Sequence, residues 1–270
     1  MRVQWSRKGV FVRILFLGDI VGRPGRVAVK RNLADVRKKK GIDLVLANGE
    51  NASGGLGLSA KSSRELFGGG VDAMTSGNHI WKFRDIIPVL ENGKLLRPAN
   101  YPGNAAGRGW AVFEFEGFPP VALINLQGRT YMSPIDCPFA ALERILKEIP
   151  ENVRIRIVDF HAEATSEKLA LAWMADGNVS ALLGTHTHVQ TNDAHVFPQG
   201  MAYVTDLGMC GPRNSCLGMA PGPIIRRFVT GLPQQFRIAS GPSILQGAIF
   251  DLDESSGKAE SISVWSMHTA

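Results

Sequence analysis

The sequence predicts an α/β fold in which two β-sheets pack face to face, a double β-sandwich flanked by helices. Two observations favour it. Strand-like apolar runs alternate with segments of helical periodicity from residue 12 onward, which is typical of parallel βαβ units. Further strand-like runs follow in the C-terminal third, over 234–239, 245–251 and 261–266. The 270 residues are 44% hydrophobic, which is enough to bury a sizeable core.

Strand and helix signals alternate through the first half of the chain. A helix is expected over 26–40, where Gly41 stops it, because apolar residues recur there with helical spacing. Another helix is expected over 60–67, with Ser59 as its N-cap and Gly68 at its end. The expected strands are 12–17, 43–47, 71–75, 110–116 and 121–126, and a short helix is expected near 83–91.

The second half continues the alternation and then changes character. A helix from Pro138 is expected to reach residue 149, and Thr165 is expected to cap a helix that stops at Gly177. Strands are expected over 154–159 and 181–184. Frequent glycine and proline predict irregular loops over 207–223.

We predict one domain over residues 11–270, preceded by a leader over 1–10. Basic residues before the apolar run from Val10 to Leu17 are typical of a signal peptide, but Arg13 interrupts that run and no small-residue cleavage site follows. A separate C-terminal β-subdomain is the alternative organisation.

Three observations bear on the compartment. No apolar run approaches the roughly 18 to 20 residues of a membrane helix, so no membrane partner is expected. The three cysteines lack ligand spacing, and a sparse, odd count suits a reducing environment. We therefore expect a cytoplasmic protein.

The positive charge is concentrated at the N-terminus. Residues 1–40 contain 12 Lys and Arg against 2 Asp and Glu, whereas the remaining residues carry a net charge of −4. A basic face attracts nucleic acid, so RNA is an alternative partner. A solvated helix that ends in basic residues explains the same pattern, because cations suit the C-terminal end of the helix dipole.

Five apolar runs end on side chains that bind metals. In an open α/β sheet, ligands bind outside the carboxyl ends of the strands, so these side chains are expected to meet. They are Asp19, the group Asn48 to Asn51, the pair Asn78 and His79, His161, and the pair His186 and His188. Each is weak alone, since a turn or a hydrogen-bonded core residue explains a single motif.

The histidines make the set specific. The chain has six, and four of them lie at these strand ends. His186 and His188 are separated by one residue, so in extended geometry both side chains face the same side. Two imidazoles on one face are a common metal-ligand arrangement.

The number of candidate ligands predicts two metal ions rather than one. A catalytic zinc takes three protein ligands and a water. Oxygen and nitrogen ligands in larger number fit two ions about 3.5 to 4 Å apart, with Glu50 bridging them. The seven candidates are Asp19, Glu50, Asn51, Asn78, His161, His186 and His188. Carboxylate and imidazole suit iron, manganese or zinc, and the expected activity is hydrolysis.

The order of these motifs resembles the calcineurin-like metallophosphoesterases. Their pattern runs Asp-x-His, Gly-Asp, Gly-Asn-His-Asp/Glu, His and Gly-His-x-His. This chain departs from it twice. It has Asp19-Ile20-Val21 where Asp-x-His is usual, and Gly49-Glu50-Asn51 where Gly-Asp is usual. Both departures are similar to the YmdB-like subgroup, in which a Glu bridges the metals and an adjacent Asn replaces the missing histidine.

The resemblance covers nearly the whole chain and leaves out residues 1–10. The matching stretches are GDIVGRPGR (18–26), NGEN (48–51), SGNH (76–79), RPAN (97–100), INLQGRT (124–130), DFHAEATSEK (159–168), GTHTHVQT (184–191) and TDLGMCGP (205–212). Long uninterrupted matches of this kind are highly specific.

The resemblance implies a residue-level assignment. Asp19, Glu50, Asn51 and His188 would hold one metal, while Glu50, Asn78, His161 and His186 would hold the other. His79 would donate a proton to the leaving oxygen. The implied activity is hydrolysis of cyclic nucleotides, 2′,3′-cyclic species in particular, and of other phosphodiesters, with iron or manganese as the usual metals.

Two arginines are candidates for substrate binding. Arg97 and Arg129 lie in the RPAN and INLQGRT stretches and could position phosphate or base, although surface arginines paired with carboxylates are equally common. A small cyclic nucleotide or another phosphodiester is the expected substrate. A phosphomonoesterase or nucleotidase and an RNA-associated regulator are the alternatives, and a homo-oligomer is compatible with the sequence.

Overall fold

A computed structural model describes residues 11–269 of the chain, and the predicted leader lies outside them. The strands in this range are β1 (Phe11–Leu17), β2 (Asp19–Ile20), β3 (Leu44–Asn48), β4 (Ala73–Thr75), β5 (Trp110–Phe113), β6 (Val121–Gln127), β7 (Ile155–His161), β8 (Ala181–Thr185), β9 (His195–Val196), β10 (Ala202–Val204), β11 (Met209–Pro212), β12 (Ser243–Asp253) and β13 (Ala259–Thr269). The α-helices are α1 (Gly22–Lys40), α2 (Ala60–Phe67), α3 (Ile87–Asn92), α4 (Pro138–Glu148), α5 (Thr165–Ala175) and α6 (Pro221–Thr230). Short 3-10 turns cover Ile80–Lys82 and Arg84–Ile86.

The strands form two sheets. The first has the order β2-β11-β12-β1-β3-β4, with β13 paired to β12. The second has the order β5-β6-β7-β8-β10-β9. Strands β1, β3 and β4 run parallel, as do β6, β7, β8 and β10. The predicted α/β fold with two sheets and flanking helices is confirmed.

Strand alternation builds the core in layers. On β1, Ile14 and Phe16 point toward the second sheet and join a cluster that includes Ile157 of β7. Leu15, which lies between them, points to the opposite face of the sheet and packs in a second cluster with Leu33 of α1. A third cluster joins the outer face of the second sheet to α4 and α5. Each fully buried Leu or Ile contributes roughly 1.5 to 3 kcal/mol by leaving water, so these layers hold the sheets in place.

Several helix boundaries match the sequence predictions. Gly41 adopts a left-handed conformation with φ of 63° and ends α1, as expected. Ser59 caps α2 by accepting a hydrogen bond from the backbone N–H of Ser62 at 3.3 Å. However, α1 begins at Gly22 rather than residue 26. The prediction that Thr165 caps α5 is wrong, because Ala164 occupies the N-cap without a side-chain bond.

The C-terminal third differs most from the predictions. The expected strand over 234–239 is absent from the described residues, since this segment makes only an isolated bridge between Ile238 and Met219. The region 207–223 is largely irregular, as predicted, but it also contains strand β11 and the first three residues of helix α6. By contrast, β12 and β13 extend the two predicted C-terminal strands to 11 residues each. No helix among the described residues is long and apolar enough to cross a membrane.

Candidate metal centre

A buried carboxylate joins the two sheets at the carboxyl ends of their strands. Asp159 of β7 is fully buried, and its Oδ2 accepts hydrogen bonds from Asn48 Nδ2 at 2.9 Å and from the Thr75 hydroxyl. Asn48 and Thr75 end β3 and β4 of the first sheet. Asp159 Oδ1 accepts from Thr185 Oγ1 at 2.7 Å, at the end of β8. The strand ends of both sheets are therefore tied to one point.

This network also orients His161. The Thr185 hydroxyl donates its proton to Asp159, so it accepts a hydrogen bond from His161 Nδ1–H, which lies 2.9 Å away. With Nδ1 engaged, Nε2 faces the opposite side of the ring. Hydrogen bonds of this kind fix the tautomer and the direction of histidine ligands in metal sites.

Three predicted ligands converge on the Nε2 atom of a fourth, His161. We call these four the inner group: Glu50, Asn78, His161 and His186. Glu50 Oε2 lies 2.5 Å from that nitrogen, Asn78 Oδ1 3.1 Å and His186 Nδ1 3.0 Å. The two imidazole rings meet edge to face with their centroids 4.7 Å apart. Two oxygen and two nitrogen atoms that could bind a metal thus lie close together at this place.

The close approach depends on Gly77. A Cβ atom added at this position would lie 1.6 Å from Glu50 Oε2 and 2.3 Å from His161 Nε2. Both partners are fully buried, Glu50 in the turn after β3 and His161 at the end of β7, so there is little room for either to move aside. Only glycine lets the backbone pass this close to the inner group.

The other predicted ligands form an outer group: Asp19, Asn51 and His188. Asp19 is fully buried and its Oδ2 accepts a hydrogen bond from the backbone N–H of His186 at 3.0 Å. Its Oδ1 lies 3.8 Å from His188 Nε2. Asn51 Nδ2 lies 3.0 Å from the same nitrogen. His188 Nδ1 bonds the Leu217 carbonyl at 3.0 Å, which leaves Nε2 facing the group.

Two oxygen atoms of the outer group are buried without a hydrogen-bond partner among residues 11–269. They are Asp19 Oδ1 and Asn51 Oδ1. An unsatisfied buried acceptor costs about 1 to 3 kcal/mol, so native structures rarely keep one without a purpose. Oxygen acceptors beside imidazole nitrogens suit a bound cation.

The charges in the site are strongly coupled. Burial would raise the pKa of Glu50, but the neighbouring His161 and His79 hold that pKa well below its usual range. Burial raises the pKa of Asp19 against the opposing effect of His188. Burial disfavours the charged form of His161, yet Glu50 and Asp19 raise its pKa to about 9. The carboxylates thus create a field that stabilises positive charge at this place.

The loop that carries His186 and His188 has an unusual backbone. Both residues have positive φ, 98° and 64°, which is rare outside glycine. A buried ion pair supports the loop: Lys168 Nζ donates to Asp206 Oδ2 at 2.8 Å and to the Thr185 carbonyl at 2.9 Å. Asp206 Oδ2 also accepts from the backbone N–H of Thr187 at 3.1 Å.

His79 lies at the edge of the inner group. Its backbone N–H donates to Glu50 Oε1 at 2.8 Å, and its Nδ1 lies 2.7 Å from the same oxygen. The side chain is 37% exposed, whereas Glu50 is fully buried. His79 is therefore held beside the cluster and remains open to solvent.

The two candidate arginines occupy different environments. All three guanidinium nitrogens of Arg97 donate to backbone carbonyls, those of residues 98, 105 and 106. These bonds favour a structural role for Arg97 in its own loop. Arg129 is exposed and lies two residues beyond Gln127, the register partner of His161 on the neighbouring strand. Its backbone therefore lies near the strand-end site, while its Nη2 donates to Cys137 Sγ at 3.3 Å.

Sequence reasoning missed several residues that support the site. Asp159 had a signal, since a carboxylate inside an apolar strand calls for a buried partner. Lys168 and Asp206 had none, because nothing in the local pattern shows that they are buried together. Glu163 was also missed, and its Oε2 lies 3.2 Å from His186 Nε2. Gln127 is fully buried, and its side-chain amide has no hydrogen-bond partner among the described residues.

The arrangement fits a metal ion. Asp19, Glu50 and His161 each offer a ligand atom, and these atoms lie within 4.8 Å of one another. All three residues are buried. Oxygen and imidazole donors without thiolate suit a catalytic rather than a purely structural metal. This group could therefore hold a metal ion.

Comparison with known proteins places the chain in a family. The family model described as YmdB-like protein matches residues 15–264. The chain is 44% identical over 252 residues to the 2′,3′-cyclic-nucleotide 2′-phosphodiesterase of Bacillus subtilis, covering 93% of this chain and 95% of that protein.

Solved structures agree with this match. A hypothetical protein from Thermus thermophilus superposes with a TM-score of 0.90 at 41% identity, covering 96% of this chain and 100% of that one. A protein described as a novel phosphatase, from Mycoplasma pneumoniae, gives a TM-score of 0.90 at 36% identity, with 96% and 94% covered. The chain is a hydrolase, and it belongs to the YmdB-like protein family.

Proposed function

We propose that this chain is a metal-dependent phosphodiesterase that hydrolyses 2′,3′-cyclic nucleotides at the 2′ bond. The observation that carries the proposal is the convergence of the inner group on His161 Nε2, with Glu50 Oε2 at 2.5 Å. The relative from Bacillus subtilis, named for this reaction, supports the choice of substrate.

We propose that the two groups hold two metal ions. The inner group would hold one ion and the outer group the other, with Glu50 shared between them. Bound metals would neutralise the nonbridging oxygens of the phosphate and lower the pKa of an attacking water. The two unpartnered oxygens of the outer group support this assignment. Iron or manganese remains the expected metal, with zinc as an alternative.

The protein residues have separate tasks in this proposal. Asp159 and Thr185 keep the lone pair of His161 Nε2 directed at the inner group. His79 donates a proton to the departing ribose oxygen, and its partial exposure lets a substrate reach it. Arg129 is the candidate for binding the phosphate, because it is exposed and a guanidinium group matches the geometry of phosphate oxygens.

Two broader expectations are kept as proposals. We propose that residues 11–270 form one domain, and the position of β12 between β1 and β11 of the first sheet supports it. A cytoplasmic location and a homo-oligomer stay predictions. The RNA-binding alternative has less support, because Arg26 and Arg37 of the basic helix α1 pair with Glu65 and Asp72 at 2.7 Å.

A phosphomonoesterase is the second candidate function. The same pair of metals serves both reactions, and the Mycoplasma pneumoniae structure is described as a phosphatase. The two candidates differ in the substrate they turn over. A diester substrate has a second ester-linked carbon group that must find room in the site, whereas a monoester has a third terminal oxygen in its place.

Steady-state hydrolysis tests the proposal. With manganese added, wild type and Glu50→Gln would be assayed on 2′,3′-cyclic AMP, a generic diester and a generic monoester. We expect diester turnover that vanishes in the variant, with little monoester turnover. Glu143→Gln, on the exposed face of α4, is the matched control and should behave as wild type. Metal-dependent turnover of the monoester alone would establish the phosphatase instead.

A further inference from the structure

Two aromatic side chains lie together beside the candidate metal centre. The rings of Trp81 and Tyr101 meet edge to face, with centroids 5.6 Å apart and planes at 82°. Trp81 is 36% exposed, and Tyr101 is partly buried. The edge-to-face contact restrains the orientation of both rings, while part of the Trp81 side chain remains open to solvent.

Trp81 is attached to the segment that carries His79. The 3-10 turn Ile80–Lys82 begins directly after His79, and the Lys82 N–H donates to the His79 carbonyl at 3.0 Å. Ile80 is fully buried and anchors the turn in the core. Since the His79 N–H is bound to Glu50, Trp81 is held at a fixed place relative to the inner group.

Tyr101 is anchored to the strand next to His161. Asn100 donates from Nδ2 to the Gln127 carbonyl at 2.7 Å and accepts from the Gln127 N–H at 2.9 Å. Gln127 is the register partner of His161 in the second sheet. Burial raises the pKa of the Tyr101 phenol, and the negative charge of Glu50 raises that pKa further. Tyr101 is therefore within electrostatic reach of Glu50.

The chemistry of the proposed substrate places its base near this pair. Hydrolysis at the 2′ bond releases the ribose 2′ oxygen, which His79 would protonate. The base is carried on C1′, the carbon next to the one that bears this oxygen. A nucleotide whose leaving oxygen reaches His79 must therefore hold its base within a few bonds of the same residue.

We propose that Trp81 and Tyr101 form the subsite for the nucleobase, with the base stacked on the exposed face of Trp81. This inference rests on the proposed function and on His79 as proton donor. Aromatic stacking accepts every base, because each has a π-face. The subsite should therefore discriminate nucleotides from phosphodiesters that lack a base, and should favour purines over pyrimidines by their larger surface.

The test compares two cyclic diesters that differ in the base. 2′,3′-Cyclic AMP and glycerol 1,2-cyclic phosphate share the five-membered phosphate ring, but only the first has a base. In Trp81→Ala we expect the ratio of kcat/KM for the nucleotide to kcat/KM for the glycerol compound to fall roughly 5- to 150-fold. Trp81→Phe, which keeps an aromatic face, should restore most of the ratio.

The control is Trp173→Ala. Trp173 is 63% exposed and packs on the buried Phe197. Removal of the Trp173 side chain should therefore leave the ratio of the two kcat/KM values unchanged. A ratio that Trp81→Ala does not change would overturn the inference while leaving the phosphodiesterase proposal intact. So would an equal fall in Trp81→Phe, because the aromatic face would then not be what matters.

A binding measurement separates failure of the inference from failure of the proposed function. If manganese-loaded wild type hydrolyses neither diester, the phosphodiesterase proposal fails. Calorimetric titration with adenosine 3′-monophosphate then tests the subsite alone. A Kd that rises roughly 5- to 150-fold in Trp81→Ala supports the subsite. An equal Kd in both proteins, or no binding to wild type, contradicts it.

Discussion

The inner and outer groups of the site are built in different ways. In the inner group, Glu50 Oε2, Asn78 Oδ1 and His186 Nδ1 lie within 3.1 Å of His161 Nε2. In the outer group, Asp19 Oδ1 is 3.8 Å from His188 Nε2, and His188 is held from behind by the carbonyl of Leu217, in a loop. The inner group is thus centred on a strand residue, His161, that a buried hydrogen-bond network orients, whereas His188 of the outer group is held only by the carbonyl of a loop residue.

This difference predicts two unequal metal sites. A preorganised ligand set loses little conformational entropy when it binds, so it binds more tightly than one that must be ordered. The Asp159 network orients His161, the centre of the inner group, before any ligand arrives. We therefore expect the inner site to fill first and to retain its ion longer on dialysis.

Glu50→Gln should have the largest effect, because Glu50 belongs to both sites. The substitution removes the carboxylate that contacts both His161 and His79, and with it the shared ligand. We expect diester hydrolysis to fall by about 10³-fold, since metal charge stabilisation amounts to several kcal/mol and each 1.4 kcal/mol is tenfold in rate. A variant that keeps both its metals and its rate would remove Glu50 from the centre of the site.

Single histidine removals should separate the two sites. We expect His188→Ala to retain one tightly bound manganese ion, because the inner group stays complete. We expect His161→Ala to lose the tight site and to bind manganese only weakly. Metal analysis after exhaustive dialysis measures the difference. Equal metal content in the two variants would contradict the unequal sites.

The buried ion pair beneath the loop should dominate stability. Lys168→Met leaves Asp206 buried without its counterion, which typically costs about 3 to 5 kcal/mol in the free energy of unfolding. Urea unfolding measures the loss. Lys147→Met, on the exposed side of α4, is the control and should be nearly neutral. A loss below about 1 kcal/mol for Lys168→Met would mean that the pair does not hold the loop.

Thr185→Val should have a smaller effect that is confined to the inner site. Valine keeps the shape but removes the hydroxyl between Asp159 and His161. Loss of such a supporting bond typically lowers metal affinity 10- to 100-fold. Competition with a chelator measures that affinity, and Thr165→Val at the exposed start of α5 is the control. An unchanged affinity of the inner site would show that packing alone orients His161.

The fold and the convergence of the site were predictable for a simple physical reason. Parallel strands end at one edge of a sheet, so polar residues after apolar runs must gather there. That rule brought Asp19, Glu50, His161 and His186 together although they are far apart in sequence. The confirmed YmdB-like resemblance then supplied the division into two ligand sets, which stays a prediction.

The features that were missed lack a local signal. Helix α6 contains two prolines and a glycine in its first turn, which are loop signals. Its apolar residues recur at helical spacing, but none of its residues is buried. The segment 234–239 has strand-like composition but finds only a short turn as its partner. The Lys168–Asp206 pair joins a helix to a distant loop, and only tertiary contacts reveal it.

The central claim is that the strand ends hold two metal ions. Anomalous diffraction from crystals of the manganese-loaded protein tests it most directly. We expect two peaks that share Glu50, one bound by Asn78, His161 and His186 and the other by Asp19, Asn51 and His188. A single peak, or a second peak away from the outer group, would contradict the two-metal site.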